Sequence, residues 1–327
     1  VVNQYVCFRK EFRLARKPKQ AALTISADPD YQLFVNGEEV YGRQFSDYPQ
    51  ARSYDTYAVA RLLRPGRNCI AVLGYFRGID ASEYRKGHPG LIVALAANSQ
   101  SVVSDGSWSC RLSPSFKSGP MPVVTNQMGI TVECDARRED AWQTVAYRHG
   151  RGWRAAVELA GPTDGYWRNL APRPLPQMRR LPFRAGRLIC TGVIRRPPNA
   201  DPAVPALAMT ADFKRMGRTL PGQEQRFVFE PPRDRNAGAA VVVDLGAESF
   251  GMLRVELDAP AGTLVDIAHG EHLEDLGVRA APHDRRFADR FICKKGRNIF
   301  VLPFRRLGCR YLELHVLNFR RPVTLHA

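Results

Sequence analysis

The chain has 327 residues, 44% hydrophobic and 24% charged, with 26 Gly and 24 Pro, which is enough for two or three domains that each bury a core. Its longest uncharged apolar run, Leu91 to Ala97, falls far short of the roughly 20 residues a membrane helix needs, and no apolar segment follows a basic one at the N-terminus, so membrane-spanning and signal-peptide readings are set aside. The formal charge is +16, from 40 Arg and 8 Lys against 32 acids; the Arg are scattered through both halves with no basic tail and no aromatic-glycine RNA-binding signature, which weighs against nucleic acid. The densest stretch, Arg279 to Arg321, carries 12 Lys or Arg against 3 acids and reads as a face for an acidic neighbour.

In chain order, Ala21 to Ser26 alternates, with Leu23 and Ile25 on one face and Thr24 and Ser26 on the other, as a half-buried strand does. Tyr31 to Val35 follows and then Asn36-Gly37, a pair that accepts the positive φ of a two-residue hairpin turn, with Glu38 to Val40 returning. A second turn, Arg64 to Asn68, feeds the apolar run Cys69 to Leu73, and Leu91 to Ala97 reads as another buried strand. The best helix candidate is Asp135 to His149, with Asp135 as its N-cap and weak apolar periodicity behind it. Eight prolines between Pro172 and Pro205 remove ladder donors, so this stretch is expected to be a linker or crossing segment and not central sheet.

Strands are expected again at Ala240 to Leu245, Met252 to Leu257, Leu264 to His269, Phe287 to Lys294, Ile299 to Phe304 and Tyr311 to Leu317. In the last, Leu312, Leu314 and Val316 share one face while Tyr311, Glu313 and His315 share the other, the pattern of a half-buried sandwich strand. Asn68 and Asn298 each follow a Gly-Arg pair and precede an apolar strand, which predicts one turn chemistry used twice. The whole pattern predicts an all-β chain of sandwiches or barrels.

Chemistry is sparse by comparison. The seven cysteines are odd in number and never spaced C-x-x-C, so buried free thiols are expected and not a zinc ribbon or a disulfide framework. There is no G-x-S-x-G, no phosphate-cradling glycine loop and no H-E-x-x-H. The densest metal-capable run is His269-Gly270-Glu271-His272 with Glu274 and Asp275; its ligands converge only if the chain turns at Gly270, and a strand end running into a polar turn gives the same letters. No metal and no cofactor is assigned. Asp244, Glu248, Glu271 and Glu313 could serve a glycosidase as paired acids, but nothing in the sequence pairs them, so no catalytic residue is assigned. An aromatic face for a sugar ring could come from Trp108, from Trp142 near Asp140, or from Trp153 beside Arg154, each of which could equally be a core tryptophan.

Several runs occur in a familiar order: Ser26-Ala27-Asp28, Tyr31 to Gly37 (YQLFVNG), Tyr54-Asp55-Thr56-Tyr57, Leu62 to Asn68 (LLRPGRN), Asp105 to Trp108 (DGSW) and Cys134 to Arg138 (CDARR). In the second half come Asp244-Leu245-Gly246, Phe250-Gly251, Pro260 to Thr263, His269 to Gly277 (HGEHLEDLG) and Leu307 to Val316 (LGCRYLELHV). In this order they resemble the N-terminal β-sandwich modules of bacterial α-L-rhamnosidases, glycoside hydrolase family 78, which implies two jelly-roll-like β-sandwich domains, expected at residues 1–178 and 179–327 and joined through the proline-rich stretch.

The resemblance implies a parent protein that hydrolyses α-L-rhamnosides with inversion, in an (α/α)6 barrel that follows the sandwiches. The family's Arg-Asp-Glu-Arg hallmark is not found in these residues, and Ala327 falls about where the barrel would begin, so the chain is expected to be an inactive accessory part. Its expected partner is that barrel, with a rhamnose-containing glycan as ligand and no membrane. Some family sandwiches hold L-rhamnose through calcium just before the Asp-Ala-Arg run; here Gly129 to Glu133 supplies one carboxylate, where calcium takes about six to eight oxygens. Asp135 and Arg137 join Trp108, Trp142 and Trp153 as carbohydrate-binding candidates, the other reading being that Asp135 caps a turn and Arg137 pairs across the sheet. An autonomous carbohydrate-binding protein is the alternative function.

Overall fold

Short apolar runs punctuated by Gly, Asn and Pro fold as strands throughout the computed structural model, which describes residues 1–159, 165–183, 185–218 and 226–326. The chain is all-β and divides into two sandwich units. The first comprises Val1–Ser113, Ser118–Pro120 and Asp140–Leu181; the second comprises Pro114–Lys117, Met121–Glu139 and Pro182–Ala327. A single cut after residue 178 misses the excursion at Pro114–Glu139. The reason is local: Val132, Cys134 and Ala136 alternate, are buried in the second unit's core, and lie in or beside Glu133–Asp135, a strand that pairs in parallel with Ala288–Ile292.

In the first unit a six-stranded sheet runs in the order Arg154–Ala155, Ser109–Leu112, Gln4–Leu14, Gly66–Phe76, Asp30–Val35, Glu38–Val40. The facing five-stranded sheet runs Ala171–Pro172, Ser53–Ala58, Ala21–Asp28, Gly90–Ala97, Gln100–Val103. Leu23, Ile25, Val93 and Leu95 from one sheet meet Leu33, Val35, Ile70 and Val72 from the other, each of them buried. Burying a side chain of this size contributes about 1.5–3 kcal/mol. The Asn36-Gly37 hairpin forms as its sequence predicts, with φ of 55° and 91°. Gly90–Ala97 is buried on one face only, because Ala94 and Ala96 alternate outward.

In the second unit a seven-stranded sheet runs Glu133–Asp135, Ala288–Ile292, Leu264–Gly270, Leu307–Leu317, Ala237–Gly251, Arg187–Arg195, Phe213–Arg218. It faces a four-stranded sheet of Arg226–Phe229, Val323–His326, Arg254–Ala259 and Gly296–Val301. Val241, Val243, Leu312, Leu314 and Val316 pack against Val255, Leu257, Phe300 and Leu325. Asn68 and Asn298 are one device used twice. Each Oδ1 accepts the amide four residues back (Arg64, 3.0 Å; Lys294, 2.9 Å), and each Nδ2 donates to that residue's carbonyl and to the intervening glycine's. Gly66 and Gly296 sit at φ of 82° and 86°, where a side chain would be strained.

Three sequence expectations are corrected. The proline-rich stretch contains an interior strand, Arg187–Arg195, paired on both sides. This is possible because its prolines flank the strand, at Pro182 and Pro197, and none interrupts it. Asp135 to His149 is not an α-helix: a 3-10 turn at Ala136–Arg138 ends at Glu139. Beyond it the buried Arg9 guanidinium takes the carbonyls of Trp142 (2.9 Å) and Thr144 (2.6 Å), oxygens that a helix would use in its own ladder. The α-helix that does form, Pro205–Ala211, starts with proline in its first turn. Finally, Leu307–Leu317 is not half-buried, since Glu313 and His315 on its second face are 1% and 0% exposed.

Candidate functional site

Three loops of the first unit converge on a buried polar network. Asp28, at the end of its strand, is 2% exposed, and its carboxylate accepts hydrogen bonds from the hydroxyls of Tyr84 (2.9 Å) and Tyr166 (2.6 Å) and pairs with Arg52 (2.7 Å). Arg52 is itself 3% exposed; it pairs with Asp47 at 2.6 Å, donates to the Tyr166 hydroxyl and lies 4.9 Å from that ring's centre. Asp47 in turn accepts from the Ser53 amide (2.7 Å) and Gln44 (3.0 Å). Burial raises the Asp28 carboxyl, and the charge of Arg52 and the two tyrosine hydroxyls offset this only in part. Burial likewise pushes the Tyr166 phenol up to about 12, so it stays protonated and donating at neutral pH.

Above this network lies a pocket of about 270 Å³. Pro49 and Gln50 line it from the first loop, Lys86, Gly87 and His88 from the second, and Gly165, Tyr166 and Arg168 from the third. Glycine is required at position 87, because a Cβ there would collide with the Tyr166 hydroxyl and the Asp28 carboxylate. The His88 ring meets Tyr166 edge-on at 4.8 Å. Lys86 and Arg168 are exposed, and among the described residues neither is in an ion pair. Sequence reading missed this site. Its residues are spread from Asp28 to Arg168 with no diagnostic spacing, and the one available signal was a charged residue, Asp28, closing an otherwise apolar strand.

The five residues proposed from sequence fall in three places. Trp108 is 2% exposed in the first unit's core and donates its indole N–H to the Val103 carbonyl at 2.7 Å, so neither ring face is open to a sugar. Trp142 is also buried, at 6% exposure, with Phe34 and Trp153 as ring neighbours. Trp153 is half-buried; the Arg111 guanidinium lies 4.5 Å from its ring centre, His149 meets it at 5.1 Å, and its N–H donates to the Tyr147 hydroxyl at 3.0 Å. Asp135 and Arg137 belong to the second unit. Asp135 caps the 3-10 turn through the Arg137 amide, and Arg137 folds back on the same carboxylate with two contacts of 2.8 Å instead of pairing across the sheet. Those bonds from Arg137 hold the Asp135 carboxyl below its usual range.

The His269 run does not converge. His269 points into the core with Nε2 unpartnered, pushed down to about 3 by burial and then by the charge of Arg305, while Glu271, His272, Glu274 and Asp275 are exposed on a turn closed by Glu274 and Gly277. Among the described residues no group of three or more His, Cys, Asp or Glu side chains is arranged to hold a metal ion. Of the candidate acids, Asp244 is held by Arg310 at 2.9 and 3.0 Å, Glu248 and Glu271 are exposed, and Glu313 is buried in a charge network. In that network His315 Nδ1 meets Asp212 and Nε2 meets Glu313, each at 2.7 Å. Arg196 bridges Asp212 and Asp266, Arg290 holds Asp266, and Lys214 reaches Glu313.

The α-L-rhamnosidase N-terminal domain family matches residues 16–175, and the bacterial α-L-rhamnosidase concanavalin-like domain family matches residues 234–326. The first match covers most of the first unit and also the Pro114–Lys117 and Met121–Glu139 parts of the second, the second match lies within the second unit, and the order is the one the resemblance predicts. The chain belongs to the N-terminal region of the α-L-rhamnosidase family, glycoside hydrolase family 78. An α-L-rhamnosidase of Streptomyces avermitilis is 27% identical over 321 residues, which is 94% of this chain and 26% of that protein. Among solved structures, the family 78 rhamnosidase of Bacillus sp. GL1 matches 99% of this chain and 53% of its own, at 22% identity and a TM-score of 0.78. The α-L-rhamnosidase of Aspergillus terreus matches 99% of this chain and 34% of its own, at 23% identity and a TM-score of 0.66. The chain thus spans about a quarter of the curated relative, about half of the Bacillus structure and about a third of the Aspergillus one.

Several of the rhamnosidase-like runs are turns and core. YQLFVNG is the first hairpin, LLRPGRN carries the Asn68 turn, DGSW turns on Asp105 to bury Trp108, and LGCRYLELHV is the central strand Leu307–Leu317. The family resemblance was therefore carried mainly by residues that hold the fold.

Proposed function

We propose that this chain is the non-catalytic β-sandwich region of an α-L-rhamnosidase-type glycoside hydrolase, supporting an (α/α)6 catalytic barrel and shaping the approach of its substrate. The observation that carries this reading is the match of two rhamnosidase domain families in order along the chain, residues 16–175 and 234–326. It is supported by the state of the acids weighed as glycosidase carboxylates: Asp244 and Glu313 are held in ion pairs, Glu248 is exposed on the strand Ala237–Gly251, and Glu271 is exposed on a turn. The test is hydrolysis of 4-nitrophenyl α-L-rhamnoside by the purified 327 residues. No release above buffer is expected. Saturable turnover that survives repurification would overturn the reading and send the search back to the acids of the second unit.

Holding glycan is the second role, favoured by Trp153, which is half-buried with Arg111 against its ring. Titration with a rhamnose-containing oligosaccharide, followed by tryptophan fluorescence, should show saturation that Trp153→Ala abolishes. An unchanged curve in the variant removes this role from Trp153.

A further inference from the structure

The pocket over Asp28 has the architecture of a binding site with its support already in place. Its three loops are fixed by side chains that are 2–7% exposed, namely Asp28, Arg52 and Tyr84, and every oxygen of the Asp28 carboxylate is engaged. The Asp28 carboxylate, the Tyr84 and Tyr166 hydroxyls and both terminal nitrogens of Arg52 are partnered, the Arg52 Nε alone in this network having no hydrogen bond among the described residues, so the network fixes the loops that carry Gln50, Lys86, His88 and Arg168. Nothing in the sandwich core requires those rim side chains, which stand outside it.

We propose that this pocket binds a single acidic sugar unit, a hexuronate residue of a glycan, with its carboxylate held by Lys86 and Arg168. Three observations select that class. First, among the described residues no Asp or Glu lines the pocket, while two cations without ion-pair partners do, a charge balance that favours a ligand carrying negative charge. Second, a pocket of about 270 Å³ lies near the lower end of the ~300–1,000 Å³ usual for small-ligand clefts, which suits one sugar unit and not a longer oligosaccharide. Third, the remaining surface is Pro49 and the His88 and Tyr166 rings, flat groups suited to a ring's C–H face, with the Gln50 amide as a hydroxyl partner. The Tyr166 hydroxyl is not available to the ligand, since it donates to Asp28 and accepts from Arg52; its role is to seat its own ring.

The glycan part of this inference rests on the hydrolase reading above, but its failure is separable. Turnover of the aryl rhamnoside would overturn the accessory role and leave the pocket untouched, whereas absence of uronate binding would remove the pocket's ligand and leave the accessory role standing. The experiment is calorimetric or NMR titration of the full chain with D-galacturonate and D-glucuronate, beside D-glucose, L-rhamnose and inorganic phosphate. A ligand of this size at ordinary efficiency binds at about 1 mM. The expected result is saturation by at least one uronate, no saturation by the neutral sugars, and weaker binding of phosphate. Lys86→Ala and Arg168→Ala should each weaken uronate binding about tenfold. Both side chains are exposed, so the variants should unfold at the wild-type temperature. No uronate saturation, equal binding of glucose, equal or tighter binding of phosphate, or full binding by the double variant would each overturn the proposal.

Discussion

Replacing His315 by leucine probes the buried charge network of the second unit. The imidazole stands between two carboxylates at 2.7 Å each, and it is fully buried. Leucine has similar volume but offers no proton, leaving Asp212 with Arg196, and Glu313 with Lys214 and the Val278 amide. Two hydrogen bonds to charged groups at about 1.5–3 kcal/mol each, or equivalently one broken buried pair at about 3–5 kcal/mol, set the expected loss near 3–5 kcal/mol. The effect depends on pH with a definite sign. Burial lowers the affinity of His315 for its proton, but the hydrogen bonds and charges of Asp212 and Glu313 outweigh burial and hold it above its ordinary 6.5. A group whose folded pKa is raised contributes fully below the unfolded value, and the contribution is lost as pH rises through the folded one.

Asp212 and Glu313 give the opposite limb. Burial raises both, yet the bonds from His315, joined by Arg196 and Lys214 respectively, bring them below their ordinary values, so their contribution is present above those values and is lost as pH falls through the folded ones. The other charges facing the imidazole, Arg196 and Asp266, are paired to one another. Urea unfolding of wild type and His315→Leu should therefore show wild-type stability declining as pH rises past about 6.5, by at most ~1.4 kcal/mol per pH unit from this group, with the variant lacking that component. Parallel profiles over that range, or a loss under ~1 kcal/mol at pH 6, would refute the assignment of a charged imidazole.

Two further predictions concern the fold. Asn68→Ala and Asn298→Ala should each destabilise their own unit by about 2–4 kcal/mol, because each removes three hydrogen bonds by which a buried side chain closes an exposed turn; a shift in urea midpoint worth less than ~0.5 kcal/mol would show that the turn does not need its side chain. All seven cysteines are free, and only Cys110 is more than slightly accessible; burial pushes Cys7, Cys69, Cys293 and Cys309 up to about 12. Ellman's reagent should therefore label at most Cys110 in the native protein and all seven on unfolding, and prompt labelling of three or more would contradict the burial.

How much was legible in the sequence follows from the range of the interactions. Period-two alternation is local, so Leu23 with Ile25 and Leu312 with Leu314 announced their strands. The turn chemistry of Asn36-Gly37 and of Asn68 and Asn298 is also local, acting over one to four residues, and it formed as read. Asp135 capping a turn was legible for the same reason, whereas the helix imagined beyond it was not refuted by anything nearby. It is prevented by Arg9, more than 130 residues away in the chain. Counting prolines over Pro172 to Pro205 failed because their positions, and not their number, decide whether Arg187–Arg195 can pair.

The sequence by itself determined the class of fold, the two recurring turns and the family, since all three are written in short motifs and their order. Only tertiary structure decided which tryptophans are core, which acids are spent in ion pairs, and where a pocket lies. The physical reason is that burial and charge pairing depend on residues far apart in the chain. Asp28 meets Tyr166, and Glu133–Asp135 joins a strand that begins at Ala288, only after both sandwiches have closed.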